Sequence, residues 1–372
     1  MKKIPLARPY YDQKELNAVA KVLESRWVAQ GPLVEEFEKE FARYIGVRHA
    51  IAVNSCTSAL HLSLLALGIK KGDEVIVPDF TFPATGNAVL FCGATPVLAD
   101  IKLDSFNIDP ESFKKRITPR TKCVIPVHIF GLPADMKNIM EIAEKYDIKV
   151  IEDAACAHGA EWCDRKAGSF GVTGCFSFHA RKIISTGEGG MIVTNDDEVA
   201  ERLRALRSHG MKQSAWMREK RFTLPSFEEI GYNFRMSDIT AAIGLVQLQR
   251  IEKFLAERRS IAEKYSRLIE EGGLPVQPPV EPSGTRHSYQ SYVILLKKKG
   301  VRDDLIASLQ NSGVGCTIGT YSLSNLPLFS GKCPNGTFAF KNSIALPLYT
   351  GMGDDEIEYV TTCMKNYFIC RT

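Results

Sequence analysis

No run of about 18 consecutive apolar residues occurs in the 372-residue chain, so no membrane-spanning helix is expected. Net charge is small. Forty-seven Lys and Arg stand against 43 Asp and Glu, a balance of +4, which is too mild for a surface that coats nucleic acid. Cysteine is sparse: ten residues lie scattered, several in apolar stretches such as those around Cys92, Cys123 and Cys175. Reduced cytosolic thiols have this distribution, and a disulfide framework does not. Met1-Lys2-Lys3-Ile4-Pro5 has two lysines but no apolar core behind them, so no secretory signal is expected. Internal repeats and low-complexity segments are missing as well. What is present is 45% hydrophobic and 24% charged, ordinary for a globular chain. The length is about two to three domains' worth. A cytoplasmic enzyme with one large core and a smaller module is expected.

The first helix is predicted to begin after Asp12 as N-cap, with Leu16, Val19, Ala20 and Leu23 on its apolar face. A second carries Val34, Phe37, Phe41, Tyr44 and Ile45 and stops at Gly46. Short apolar runs then alternate with helical stretches. The strand candidates are Ala50–Val53, Glu74–Val77, Thr95–Ala99, Cys123–Val127, Lys149–Glu152, Gly174–Phe178 and Gly190–Thr194. Helices are expected at Ser58–Leu67, Pro83–Phe91 and Asp135–Tyr146. This alternation implies a mostly parallel sheet covered on both faces. Residues 211–236 read as a long loop. Ser237 is placed to cap one long helix from Asp238 to Glu271, ended by Gly272-Gly273. Beyond it a strand at Tyr289–Leu296, a helix at Asp303–Asn311, a strand near Val314–Ile318 and a helix at Asp354–Tyr367 suggest a small α+β domain. The boundary falls within 240–275, dividing residues 1–245 from 246–372.

Three stretches carry chemistry. The Ala50–Val53 strand runs through Asn54-Ser55-Cys56-Thr57-Ser58 into a helix, where free amides and small hydroxyls suit a phosphate. The plainer alternative is that Thr57 or Ser58 only caps the helix. Val150-Ile151-Glu152-Asp153-Ala154-Ala155 ends a strand in two carboxylates, at the end where open α/β sheets bind ligands. Glu152 is expected to point away, and Asp153, followed by two alanines, leaves room for a flat ligand. Asp153, Cys156 and His158 match no metal-ligand spacing, so no metal is expected. The third stretch is Cys175–Gly190. Lys182 follows a strand, has Arg181 beside it and apolar neighbours, and precedes Gly187-Glu188-Gly189-Gly190. Such surroundings lower an amine's pKa and make it a nucleophile toward carbonyls. The glycines precede a strand instead of opening a helix, which disfavours a dinucleotide-dependent dehydrogenase. A phosphate cup, a strand-end carboxylate and an activated lysine together fit pyridoxal 5′-phosphate.

At this point a family likeness is visible. Trp27-Val28-Ala29-Gln30-Gly31-Pro32, Gly72–Pro78, Glu152-Asp153-Ala154-Ala155, Ser177–Gly190 and Gly231-Tyr232-Asn233-Phe234-Arg235-Met236 resemble the DegT-type sugar aminotransferases. The likeness runs in order over nearly the whole chain. It implies the α/β architecture of fold-type I pyridoxal-phosphate enzymes, a seven-stranded, mostly parallel sheet with a smaller C-terminal domain. It implies that Lys182 holds the cofactor covalently and that Asp153 faces its ring nitrogen. Phe82 matches the aromatic stacked on the ring, and Thr57, Ser58 and Ser177 match phosphate contacts. Asn233 matches a residue that reaches the phosphate from the neighbouring subunit, which implies a homodimer with shared sites. The family usually has Gln or His where this chain has Cys156. A thiol is a poor hydrogen-bond partner, so Cys156 is expected only to pack beside the cofactor, with no cation near to activate it.

The resemblance implies transfer of an amino group from glutamate or glutamine to a nucleotide-linked keto-sugar. Lys182 serves as the base, and the two half-reactions alternate. Tyr321–Phe329 resembles the branch acting on 4-keto sugars, which includes perosamine synthases. The alternatives are a keto-cyclitol aminotransferase, a family dehydratase, a non-catalytic cofactor-binding regulator and a structural protein of this fold. Lys182 opposes the dehydratase, which the resemblance implies would carry His there. No helix-turn-helix with a basic face supports the regulator.

Overall fold

Seven buried apolar runs become the strands of one sheet in the computed structural model, which describes residues 3–211, 224, 226, 227 and 229–370. They are β1 (His49–Val53), β2 (Glu74–Pro78), β3 (Thr95–Ala99), β4 (Thr121–Val124), β5 (Lys149–Asp153), β6 (Thr173–Ser177) and β7 (Gly190–Thr194). Their spatial order is β1-β7-β6-β5-β4-β2-β3. β7 is antiparallel to both neighbours, and the pairs from β6 to β3 are parallel. Each expected strand is therefore present, within three residues at either end. The helices Cys56–Ala66, Ala84–Phe91 and Met136–Lys145 also lie where the alternation placed them. All but the outer strand β3 are almost wholly buried, as sheets covered on both faces require.

The first helix, Gln13–Ser25, is capped by Asp12 with Glu15 closing a capping box. Its expected apolar face is wrong. Leu16 and Leu23 are 64% and 55% exposed, Ala20 is exposed, and the helix buries Glu15 and Val22 instead. The inward face is polar because Glu15 accepts from Gln247 Nε2 (2.7 Å) and Arg250 (3.2 Å). The long helix begins at Asp238 under its Ser237 cap, but it is two helices, Asp238–Leu248 and Ile251–Glu271. The break falls at Gln249-Arg250, where the Arg250 side chain is drawn to Asp12 and Glu15 of the N-terminal helix. The expected loop at 211–236 lies partly outside the described residues.

The C-terminal part forms a second, antiparallel sheet in the order Val276–Gln277, Tyr292–Leu296, Ser343–Leu346, Thr317–Ile318. Its core gathers Tyr265, Tyr292, Ile294, Leu305 and Val360, and also Ile4 from the other end of the chain. A short ribbon pairs Tyr321–Ser322 with Phe80–Thr81, just beyond β2. Asp79, fully buried, fastens it by accepting from Ser322 Oγ (2.6 Å) and the Ser324 amide (2.7 Å). Among the described residues no helix is long and apolar enough to cross a membrane.

Candidate active site

Because β1, β2, β5 and β6 point the same way, the segments leaving them meet at one end of the sheet. β5 delivers Glu152 and Asp153, and the two carboxylates separate by alternation. Glu152 is fully buried and accepts from His128 Nε2 (2.8 Å) and the amides of Gly168, Phe170 and Gly171. It is a structural anchor, as expected of the carboxylate that points away. Asp153 Oδ2 accepts from Thr85 Oγ1 (2.8 Å), and Oδ1 accepts from the Ala155 amide (3.2 Å). Burial raises the Asp153 carboxyl above its ordinary range, against the pull of those two donors. A cationic partner would lower it again.

The Cys56–Ala66 helix begins beside this carboxylate. Its cap is Ser55, whose Oγ accepts from the Ser58 amide (3.1 Å), so neither Thr57 nor Ser58 is the cap. Ser58 Oγ donates to Asn54 Oδ1 (2.7 Å). Helix geometry leaves the first amides, Cys56 and Thr57, without intrahelical partners. β7 starts against them: a Cβ on Gly190 would lie 2.5 Å from the Ser55 carbonyl carbon and 2.7 Å from the Cys56 nitrogen. Only glycine lets the strand approach so closely. Gly190 also stands opposite both Val53 and Ser177 in the sheet register, which brings the buried Ser177 to the same place. A phosphate fits this cradle of amides and hydroxyls.

Lys182 sits on the return between β6 and β7, its amide bonded to His179 O (2.8 Å). Its Nζ donates to Cys156 Sγ at 3.1 Å. This corrects two expectations. Cys156 does not merely pack, and it does have a cation beside it. Arg181 is exposed and does not set the lysine's acidity. Burial pulls the Lys182 ammonium down, while Cys156, Cys56 and Asp153 push it up, and the balance lies above the ordinary lysine value. The sequence reading of a lowered value took account of the chain neighbours and missed these spatial ones. His158 is buried among Phe41, Phe176 and Phe178, and burial and the nearby Lys182 drive it down to about 3.

Phe82 is 63% exposed, its ring edge-on to Tyr321 at 6.2 Å. Its carbonyl accepts from the amide of Thr85, the residue that holds Asp153. An open aromatic face next to the strand-end carboxylate suits a flat ring. Asn233 is exposed, and its side chain bonds to no described residue. Its neighbour Phe234 accepts from the Asn54 amide (2.9 Å), which places the segment beside the cradle. Thr85 was missed in the sequence, and Ser55, Cys56 and Gly190 were named only within their stretches; Thr85 stands four residues after Thr81, whose hydroxyl it meets at 3.1 Å. A separate groove of about 800 Å³, lined by Glu38, Arg48, Glu198, Arg202 and Arg207, shares none of these site residues and offers no comparable chemistry.

A model of the DegT/DnrJ/EryC1/StrS aminotransferase family matches residues 9–365. The spore coat polysaccharide biosynthesis protein SpsC of Bacillus subtilis is 38% identical over 376 residues, spanning 98% of this chain and 96% of its own. The GDP-perosamine synthase of Caulobacter vibrioides is 38% identical over 374 residues, 99% of each chain. Among solved structures, the PLP-form of Spr1654 from Streptococcus pneumoniae matches with a TM-score of 0.91 at 28% identity, over 98% of each chain.

Proposed function

The chain belongs to the DegT/DnrJ/EryC1/StrS aminotransferase family and is a pyridoxal-phosphate-dependent transferase; on that premise we propose that it moves an amino group from glutamate or glutamine to C4 of a nucleotide-linked 4-keto sugar. The observation that carries the reading is the meeting of Lys182, Asp153 and the glycine-lined helix start at one end of the sheet. The sugar acceptor is suggested by the likeness to a GDP-perosamine synthase and to a polysaccharide biosynthesis protein. Residues 1–245 are taken as the cofactor-bearing unit and residues 246–372 as the smaller one.

The cofactor, when bound, supplies an electron sink for charge developing on the donor's α-carbon. Lys182 would hold it covalently and, as a free amine, would carry the proton away from the donor's α-carbon on Nζ. Asp153 would pair with the ring nitrogen, where a positive charge would offset the desolvation of the carboxylate. The amides of Cys56 and Thr57, with the hydroxyls of Thr57, Ser58 and Ser177, would take the phosphate. Phe82 would cover the ring, Cys156 would lie beside it, and Asn233 from the second subunit of a homodimer would complete the phosphate site. Tyr321, edge-on to Phe82, would meet the sugar.

The test is a panel of nucleotide-linked 4-keto and 3-keto sugars, with a keto-cyclitol alongside, each offered with glutamate or glutamine and read by mass spectrometry. An aminated 4-keto sugar is the expected product. Amination of the cyclitol alone, or of no sugar at all, would overturn the reading.

A further inference from the structure

Among the described residues the amine of Lys182 has one hydrogen-bond partner, the sulfur of Cys156 at 3.1 Å. Asp153 makes no hydrogen bond to it; its oxygens accept from Thr85 and from the Ala155 amide, with acceptor capacity to spare. The two members of the pair are also fixed from outside. Gln290 Nε2 donates to the carbonyl of Arg181 (2.9 Å), next to the lysine, and Ser288 Oγ shares its hydrogen between the carbonyls of Gly131 (3.3 Å) and Cys156 (3.4 Å). Both clamps come from one buried stretch of the C-terminal part. Gly131 lets that stretch close in. Its φ is +101°, and a Cβ there would lie 2.4 Å from Ser288 Oγ and 3.1 Å from the Cys156 carbonyl oxygen.

We propose that Cys156 is a catalytic residue of this enzyme: its sulfur holds the amine of Lys182 in place whenever that amine is free, and Ser288 and Gln290 position the pair. The inference rests on the reading that Lys182 is the reacting amine. Lys182 is partly exposed, and an ammonium with only part of its water shell is steadied by an acceptor. Sulfur is a weak acceptor, so the contact aims the amine without holding it as firmly as an oxygen would. Besides Cys156, the ionisable groups acting on Lys182 are Asp153 and Cys56, and His158 lies within its field. Removing the sulfur takes away one of the groups that keep the amine protonated, so the amine becomes free at lower pH.

The experiment uses cofactor-free protein, trace-acylated with acetic anhydride across a pH series, with the Lys182 peptide quantified by mass spectrometry. Cys156→Ala is expected to move the Lys182 labelling curve to lower pH, with several-fold more label at mildly alkaline pH. Cys156→Ser, which keeps a smaller acceptor, should fall between the two. Gln290→Ala keeps the thiol but frees the Arg181 carbonyl, and should shift the curve in the same sense by less. It also carries the test if Cys156→Ala does not fold. Superimposed curves for wild type, Cys156→Ser and Gln290→Ala overturn the proposal. Labelling needs no sugar substrate, so a failed sugar panel and a failed labelling shift are separate results.

Discussion

Gly190→Ala probes whether the start of the Cys56–Ala66 helix is the phosphate cup. The added methyl would sit 2.5 Å from the Ser55 carbonyl carbon, 2.6 Å from its oxygen and 2.7 Å from the Cys56 nitrogen. All three are backbone atoms, so no side chain can swing aside. Ordinary contact begins near 3.4 Å, and strand and helix start must part by about 0.9 Å. Overpacking of this kind costs about 1–3 kcal/mol of stability. The same displacement carries the Cys56 and Thr57 amides out of range of a bound phosphate. Losing one hydrogen bond to a charged group, about 1.5–3 kcal/mol, weakens cofactor binding by about 10- to 150-fold. The assay is absorbance titration of cofactor-free Gly190→Ala with pyridoxal phosphate, beside a thermal melt. An affinity within about twofold of wild type, with an unchanged melt, would refute the cup.

Borohydride reduction of the yellow holoenzyme should leave the pyridoxyl group on Lys182. Attachment at Lys166, which is instead tied to Glu161 (2.8 Å), would overturn the site. His158 and His287 are buried and held neutral, each driven down to about 3. Their folded values lie below the unfolded one, so the stability they give is full above about pH 6.5 and is lost as pH falls toward the folded value. From about pH 7.5 to 5.5 the pair should cost about 3 kcal/mol, read by urea denaturation at both pH values. His287→Gln should remove about half of that dependence, and equal midpoints at the two pH values would contradict the assignment. Asn233→Ala and Lys182→Ala homodimers should each be nearly inactive. Co-expressed, about half the dimers are mixed and carry one intact site, so activity should return to about a quarter of wild type if Asn233 crosses the interface. Recovery no greater than the sum of the parents would place Asn233 in its own chain's site.

The sheet was legible because its strands are short, continuous apolar runs bounded by turn residues, the mark of strands buried on both faces. Lys182 and Asp153 stood out because a lysine and a carboxylate at apolar strand ends need a reason to be there. Periodicity failed at Leu16 and Leu23, where a ladder of apolar residues faces outward while Glu15 is buried by bonds to Gln247 and Arg250, over 230 positions away. No local signal contains such a partner. The same limit hid the break at Gln249-Arg250. It also hid the contact between Cys156 and Lys182, which are 26 positions apart and held by a stretch more than 100 residues further on. Residue type alone made the thiol look inert.

The reversed direction of β7 has a kinetic corollary. The segment carrying Lys182 is closed at both ends, with the Phe178 amide bonded to Gly189 O, the Ala180 amide to Gly187 O, and Ser177 opposite Gly190 in the sheet. In the role proposed for Lys182, an amine on so short a loop would not diffuse away when it is displaced. Its return is intramolecular, governed by an effective concentration that no free amine in solution would match. The two half-reactions can then alternate without the chain having to search for its own nucleophile each time.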